Sequence, residues 1–357
     1  MTAWVEIDRS ALVHNAAQVR ALVGPEVELC AVVKGNGYGH GAVIAAEAFL
    51  AAGAARLAVT TVAEGAELRA AGIEQPILLL ASHAPDEADE VLAHGLTATV
   101  VDGGAAQGLA RAAERRGVVA DVHLLIDTGM GRDGTRPGDV PVMAAIIAAE
   151  PALRLAGAFT HFPTATERDK TPVRQQLALF RQAATALPTP LLLHAANSAA
   201  TVDLPEARLG MVRVGTLLYG QYPSAHVSRV LDLRSTWALK ARLVEVRKLS
   251  AGATIGYGSE CRLARPTLVG TLLVGWQQGF TLQPASVTRG LRGLKSLLRP
   301  DVPSVWLRGQ RCAVLGRVSM QSCAIDLSAF PDAVAGEVVD VPCRRVLVDR
   351  ALPRIIR

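Results

Sequence analysis

The sequence predicts an α/β protein, with a (β/α)8 TIM-like barrel followed by a C-terminal, mainly β domain. In the first part of the chain, short apolar runs that resemble buried strands alternate with helical runs, as expected for a parallel sheet covered by helices. From about Leu231 onward, strand-like runs follow one another without long helices. The 357 residues suffice for one large and one small domain. We therefore expect a barrel at 1–228 and a β domain at 229–357, with the strand at 3–8 as a candidate member of the second domain.

The barrel elements follow in order. Trp4 to Asp8 predicts a short strand, and Ser10 is the expected N-cap of a helix that runs to about Leu22. Leu29 to Val33 predicts the first barrel strand, and an alanine-rich helix is expected from Ala42. The remaining barrel strands are expected at 55–61, 76–81 and 96–102, and at four runs that begin at residues 121, 154, 190 and 211.

The second domain contains strand-like runs without long helices between them. These runs are at 237–249, 267–276, 304–327 and 336–341, and the segment 290–303 is predicted to be an exposed loop.

Composition excludes several function classes. No apolar run reaches the roughly 18 to 20 residues of a membrane span. The first residues, MTAWVEIDRS, lack the basic and then apolar layout of a secretion signal. We therefore expect a cytoplasmic protein without a membrane partner.

The basic charge has no pattern that suggests nucleic-acid binding. The net charge is +5, but the arginines are spread thinly and concentrate only at Arg292 to Arg299 and Arg344 to Arg345. Aromatic residues, which a nucleic-acid reader would interleave with the basic ones, make up 4% of the chain. The five cysteines show no metal-binding spacing, so we expect no metal and a reducing compartment.

The candidate chemistry begins at Lys34, which ends the first barrel strand in the string Lys-Gly-Asn-Gly-Tyr-Gly-His-Gly. Barrel enzymes collect their reactive groups at the carboxyl ends of the strands. A lysine buried there can lose its proton and act as a Schiff-base nucleophile or a general base. The alternative is a surface lysine in a loop.

Other barrel strands also deliver polar residues to their carboxyl ends. Because these ends share one mouth, residues far apart in sequence are expected to converge there. The residues are Arg132, His161, Asn197, Ser198, Arg213 and Gly215. A single strand-end histidine would be an ordinary structural residue, but several such segments together predict a site.

The lysine string closely resembles the signature of the alanine racemase family, with Gly35 and Gly37 at positions that are usually alanine. This resemblance implies that Lys34 carries pyridoxal 5'-phosphate (PLP). Backbone N–H groups and hydroxyls would bind the phosphate, and Arg213 would donate to the pyridine nitrogen without transferring a proton. His161 would lie beside the ring, and Arg132 would orient a phenol or the substrate carboxylate. The implied phosphate ligands are Tyr38, Ser198, Val214 and Gly215.

The resemblance also implies a second catalytic residue. Racemisation needs a base on each face of the substrate's α-carbon, and Lys34 can serve one face. The segment ATIGYGSECRL resembles the family's second signature and implies that Tyr257 is the other base. In the family this tyrosine comes from the other subunit, so a homodimer with shared active sites is implied.

Four positions depart from the family pattern. Trp276 replaces a tyrosine, and Gln321, next to Met320, replaces an aspartate near the substrate carboxylate. Leu125 replaces a common lysine that can carry a carbamate, and Arg350 aligns with a tyrosine that binds the phosphate. Because Trp276 and Gln321 belong to the substrate entrance while Lys34 and Tyr257 are retained, the departures predict an altered substrate or reaction.

Two functions therefore stay open from the sequence. The first is an amino-acid racemase, with alanine as the default substrate. The second is a PLP enzyme on the same scaffold with a different reaction at the α-carbon, such as a decarboxylase, an aldolase or a hydroxymethyl transferase. Tyr257 favours the first, because a two-base racemase requires it.

Overall fold

The structure is a computed structural model that describes residues 1–282 and 302–357. It divides into two compact units, one of Arg9–Thr236 and one that combines Met1–Asp8 with Trp237–Arg357. Most of the loop expected at 290–303, including the basic run Arg292 to Arg299, lies outside the described residues. None of the described helices is long and apolar enough to cross a membrane.

The first unit is a nearly closed barrel of eight parallel strands, all within residues that the structure describes, and it confirms the predicted barrel. The strands are β2 (Glu28–Val32), β3 (Arg56–Val59), β4 (Ile77–Leu79), β5 (Ala98–Val100), β6 (Ala120–Leu125), β7 (Leu153–Phe159), β8 (Leu192–His194) and β9 (Met211–Val214). Their order in the sheet is β4-β3-β2-β9-β8-β7-β6-β5. A parallel bridge between Leu78, in β4, and Thr97, next to β5, joins the two end strands.

Helices follow most of the barrel strands. The first helix precedes the barrel strands and begins at Arg9, so Ser10 lies in its first turn and the N-cap expected at Ser10 is wrong. Polar side chains cap several later helices, such as Asp102, whose carboxylate accepts a hydrogen bond from Ala105 N (2.8 Å). The helices are Arg9–Val23, Ala42–Ala51, Val62–Ala70, Ala88–Ala93, Gly103–Arg116, Val140–Ala148, Thr171–Ala184 and Ser198–Asp203.

The second unit is mainly β, as the sequence predicts. Its strands are β1 (Ala3–Ile7), β10 (Trp237–Leu249), β11 (Thr254–Ile255), β12 (Cys261–Arg262), β13 (Thr267–Leu272), β14 (Ser304–Leu307), β15 (Gln310–Leu315), β16 (Cys323–Asp326), β17 (Val338–Val341) and β18 (Arg354–Ile356). The larger sheet has the order β13-β16-β15-β14-β17-β10-β1-β18, and a further β13–β10 pairing closes part of it into a ring. The long strand β10 makes this possible, because its first half pairs with β1 and β17 and its second half pairs with β13.

The parallel register of β2 against β9 positions the candidate reactive residues at the ends of these strands. Ala31 pairs with Val214 in this parallel ladder. Lys34, two residues beyond the end of β2, and Gly215, directly after β9, therefore both lie at the carboxyl edge of the barrel.

Candidate active site

A cavity of about 250 Å³ opens at the carboxyl ends of the barrel strands. Every residue that lines it belongs to the first unit. The strand-end convergence expected from the sequence is therefore present. The predicted residues on its wall are Lys34, Tyr38, Arg132, His161, Asn197, Ser198, Arg213 and Gly215.

The chain turns with left-handed geometry directly after Lys34. Gly35 (φ 62°), Asn36 (φ 54°), Gly37 (φ 59°) and Tyr38 (φ 51°) are all in the left-handed region. This region costs a non-glycine residue about 1 kcal/mol or more, so glycine at 35 and 37 lowers the cost of the turn. A Cβ on Gly37 would also lie 3.1 Å from Ala45 Cβ, whereas one on Gly35 would meet nothing.

The environment of Lys34 favours its neutral form. Burial lowers the pKa of the Lys34 amine, and the positive charge of Arg132 lowers it further, while the Glu64 carboxylate opposes both. Because the net pKa shift is downward, a larger fraction of the amine is unprotonated near neutral pH than for a solvated lysine. A neutral amine is the form that acts as a nucleophile or a base.

The hydroxyl groups of Ser198 and Tyr38 lie next to the backbone of Gly215. Its N–H donates to Ser198 Oγ (3.0 Å), and a Cβ on Gly215 would lie only 2.5 Å from Tyr38 Oη. The space that a side chain would fill is therefore bounded by two hydroxyls and the backbone, which is a donor set that suits a phosphate. The residues present thus fit the phosphate group of PLP. Val214 is buried and does not line the cavity.

Tyr38 is held in place from behind by Tyr219. The two rings stack with centroids 4.7 Å apart. Tyr219 is almost fully buried, and its hydroxyl donates to Val32 O (3.1 Å) on the lysine strand. Tyr219 is not among the site residues predicted from the sequence.

Arg213 is buried and highly constrained. Its Nη1 donates to His194 Nδ1 (2.8 Å), its Nη2 donates to Thr160 O (2.7 Å), and its guanidinium lies 4.9 Å from the centre of the Phe159 ring. Burial lowers the pKa of Arg213 to about 10, so it stays protonated at neutral pH. It is therefore a fixed hydrogen-bond donor on the cavity wall.

The hydrogen bond from Arg213 fixes the protons on two buried histidines. Because His194 Nδ1 accepts, His194 Nε2 carries the proton and donates to His123 Nδ1 (2.8 Å). His123 Nε2 then carries its own proton and has no hydrogen-bond partner within the described residues. Burial first, and cations second, lower the pKa of His123 to about 3 and the pKa of His194 well below its usual range.

Neither histidine was a sequence candidate, although one signal was available. His123 is a polar residue inside the apolar strand run VHLLI, and such a residue either has a partner or a function. The neighbouring strand makes room for it, because a Cβ on Gly157 would lie 2.6 Å from His123 Cε1.

His161 contributes to the cavity wall as a neutral ring. Its Nδ1 accepts a hydrogen bond from Arg213 Nη2 at 3.4 Å. Burial lowers its pKa to about 3, with smaller effects from the cations Arg213, Arg132 and Lys34. His161 therefore stays uncharged near neutral pH.

The loop that carries Arg132 is built around Asp127. The carboxylate of Asp127 accepts hydrogen bonds from the N–H groups of Gly129 (2.9 Å) and Met130 (2.8 Å). Arg132 lies on the cavity wall, and so does Leu125, the residue that replaces the family's lysine.

The remaining predicted residues belong to the second unit. Tyr257 is 75% exposed, and Trp276 is 46% exposed. The segments of Trp276 and Met320 lie together, because Gln277 N donates to Met320 O (3.0 Å) and Gln321 Nε2 donates to Gln277 Oε1 (2.8 Å). Arg350 lies in a turn, where its carbonyl accepts a hydrogen bond from Arg354 Nη1 (2.6 Å). Within the described ranges, no group of three or more His, Cys, Asp and Glu residues is placed to hold a metal ion.

Comparison with known proteins covers both units. Residues 7–223 match the family model of the alanine racemase N-terminal domain, and residues 236–347 match that of the C-terminal domain. The chain is 40% identical over 344 residues to an alanine racemase of Desulforamulus reducens, which covers 94% of this chain and 89% of that protein. It is 37% identical to an alanine racemase of Desulfovibrio desulfuricans, with 94% and 88% covered.

Solved structures give the same result. An alanine racemase of Clostridium difficile 630 superposes with a TM-score of 0.92 at 28% identity, covering 100% of this chain and 96% of that chain. An alanine racemase of a D-cycloserine-producing Streptomyces lavendulae superposes with a TM-score of 0.85 at 29% identity, covering 100% and 97%.

Proposed function

The chain belongs to the alanine racemase family, and on this premise we propose that it is a PLP-dependent amino-acid racemase with alanine as the default substrate. The observation that carries the proposal is the barrel cavity, which is lined by Lys34, Arg213 and the hydroxyl-bounded space at Gly215. A reactive amine, a fixed cation and an anion-binding pocket are the groups that this cofactor requires.

Different residues of the cavity would bind different parts of PLP. Lys34 would form the covalent link, and Tyr38, Ser198 and the backbone at Gly215 would bind the phosphate. Arg213 would donate a hydrogen bond to the ring nitrogen and keep its own proton. When bound, PLP supplies an electron-withdrawing ring that stabilises negative charge at the substrate's α-carbon.

Two side chains move the α-proton in this proposal. Lys34 takes or returns it on one face of the α-carbon, and the lowered pKa of its amine suits that role. Tyr257 acts on the opposite face. Its strongly exposed side chain is consistent with a role in the active site of a partner subunit, as the family resemblance implies.

The departures from the family pattern at Trp276 and Gln321 support a proposal about the substrate. Trp276, Met320 and Gln321 form an uncharged cluster in which the Gln321 amide bonds to Gln277. We expect slow turnover of alanine compared with typical family members, because an aromatic wall and a neutral amide favour a larger or acidic substrate.

Restoring the family residues tests this substrate proposal. Trp276→Tyr combined with Gln321→Asp should raise kcat/KM for alanine more than the sum of the single changes, because residues in one cluster couple. Trp306→Tyr, at an exposed tryptophan of β14, is the matched control. Ordinary family-level turnover of alanine by the wild-type protein would show that the departures are neutral.

The reaction class is tested with a panel of L- and D-amino acids in deuterated water. The proposal predicts that at least one amino acid exchanges its α-proton and changes chirality. Borohydride reduction should leave the cofactor on the peptide that contains Lys34. Loss of carbon dioxide or of a side-chain carbon without racemisation would favour the alternative α-carbon reactions.

A further inference from the structure

Glu64 lies where the loops that follow β2 and β3 meet. Its Oε1 accepts a hydrogen bond from Gly35 N (2.6 Å), and its Oε2 accepts from Thr60 N (3.0 Å) and Thr61 N (3.3 Å). One carboxylate therefore binds three backbone donors from two separate loops. The first of these donors belongs to the residue that follows Lys34.

Helix capping explains only part of this arrangement. Thr61 and Glu64 form a reciprocal capping box at the start of the helix Val62–Ala70, in which Thr61 Oγ1 accepts from Glu64 N (3.3 Å). A capping box does not require the bond to Gly35, which crosses to the neighbouring loop. Capping alone therefore does not account for the position of the Oε1 atom.

The bond to Gly35 secures one end of the left-handed turn. Asn36 and Tyr38 adopt a backbone conformation that non-glycine residues avoid unless their surroundings hold them in it. At the other end of the turn, Asn36 Oδ1 accepts a hydrogen bond from Ala42 N (3.1 Å). Glu64 thus fixes the entry to the turn, immediately after Lys34, and Asn36 fixes the exit.

The charge of Glu64 also acts on Lys34. Burial and Arg132 lower the pKa of the lysine, and Glu64 is the carboxylate that raises it. His161 contributes no positive charge near neutral pH, because burial lowers its pKa to about 3. The other charged or titratable groups on the cavity wall are Tyr38, Asp127, Asp133 and Arg213.

We propose that Glu64 is a positioning residue for Lys34, which it serves by holding the first residue of the left-handed turn and by placing a fixed negative charge near the amine. The inference rests on the proposed function only for the role of Lys34 in the reaction. The contacts themselves do not depend on it.

Three variants of the full-length chain separate the two effects. Glu64→Gln removes the charge and replaces one carboxylate oxygen with an NH2 group, which cannot accept a hydrogen bond from the backbone N–H groups of Gly35, Thr60 or Thr61. Glu64→Asp keeps the charge but is one methylene shorter, so it loses reach toward Gly35. Thr61→Ala is the matched control, because it breaks the other half of the same capping box and leaves the carboxylate in place.

Two measurements are made on the chain from which PLP has been removed. Competitive acetylation across a pH series, read by peptide mass spectrometry, gives the pKa of Lys34. Amide deuterium exchange of the peptide 34–41 reports the stability of the turn. Glu64→Gln should lower the pKa of Lys34 and speed exchange in this peptide, Glu64→Asp should mainly speed exchange, and Thr61→Ala should match the wild type in both.

The loaded enzyme gives a third measurement. We expect Glu64→Gln to lose about ten- to a hundredfold in kcat, because a displaced reactive group loses its alignment. The proposal is overturned if Glu64→Gln behaves like Thr61→Ala in both the titration and the exchange experiment. If Glu64→Gln does not fold, equal exchange of the 34–41 peptide in Glu64→Asp and Thr61→Ala overturns it instead. If Glu64→Gln shows the expected changes in the pKa of Lys34 and in peptide exchange, but the wild-type protein racemises no amino acid, the proposed function is contradicted and the positioning role of Glu64 is supported.

Discussion

At the scale of single residues, Gly215 shows how a missing side chain shapes the cavity. The Tyr38 hydroxyl occupies the space that a Cβ at this position would need, only 2.5 Å away. The same residue donates its N–H to Ser198 Oγ. Any side chain here would push Tyr38 off its stack on Tyr219. We infer that the glycine keeps the phosphate pocket open.

Gly215→Ala should therefore weaken PLP binding by about tenfold or more, since one displaced hydroxyl contact to a charged phosphate is worth about 1.5 kcal/mol or more. Cofactor affinity is measured by absorbance titration of the cofactor-free chain. The matched control is Gly138→Ala, where a Cβ meets nothing and φ is not positive, so affinity should not change. Equal affinity of both variants for PLP would contradict the assignment of the pocket.

The acid response of the buried histidines is also a property of single residues. The pKa of folded His123 is about 3, below the ordinary 6.5, so the unfolded chain takes up a proton first as the pH falls. The contribution of His123 to stability is therefore fully present above about pH 6.5 and is lost as pH falls toward about 3. The slope is about 1.4 kcal/mol per pH unit for each such histidine.

His123→Asn should reduce the loss of stability between pH 7 and pH 5, whatever its effect at pH 7. Urea denaturation at both pH values measures the difference, with His226→Asn, at an exposed histidine, as the control. A pH dependence in His123→Asn as steep as that of the wild type would show that His123 is not buried in its neutral form.

At the scale of elements, the strands were predictable and the turns were less so. Apolar runs identify buried parallel strands directly, and the shared edge of a barrel then brings their polar end residues together. The convergence of Lys34, His161 and Arg213 at one mouth of the barrel was therefore predictable without a structure. The left-handed turn after Lys34 could not, because its glycines permit this geometry without requiring it.

Contacts between distant segments were also beyond the sequence. His123 and His194 are 71 residues apart, and Tyr219 packs against Tyr38 from the far end of the barrel sequence. Glu64 has the signature of a helix cap, and only the structure shows its bond to Gly35. In each case the local pattern fits an ordinary structural role, and the partner is set by tertiary packing.

At the scale of the whole molecule, the proposed reaction draws on both units. Lys34 belongs to the barrel unit, and Tyr257 belongs to the mainly β unit. A homodimer with shared sites would combine the Lys34 of one subunit with the Tyr257 of the other.

Mixing two inactive variants tests this assembly. Lys34→Ala and Tyr257→Phe proteins, once their subunits have exchanged at random, should recover about a quarter of wild-type activity, because half of the dimers are mixed and each has one intact site. Co-purification of differently tagged subunits controls for exchange. No recovered activity in an exchanged sample would contradict the shared site.

The two-base mechanism depends on Lys34 and Tyr257 serving opposite faces of the α-carbon. Tyr257→Phe, loaded with PLP, is incubated with each enantiomer of the preferred amino acid in deuterated water, and α-proton exchange and chirality are followed together. We expect this variant to exchange the α-proton of one enantiomer, through Lys34, far faster than that of the other, and we expect racemisation to fall by about a hundredfold or more. Racemisation by Tyr257→Phe at the wild-type rate, with equal exchange from both enantiomers, would contradict the two-base mechanism.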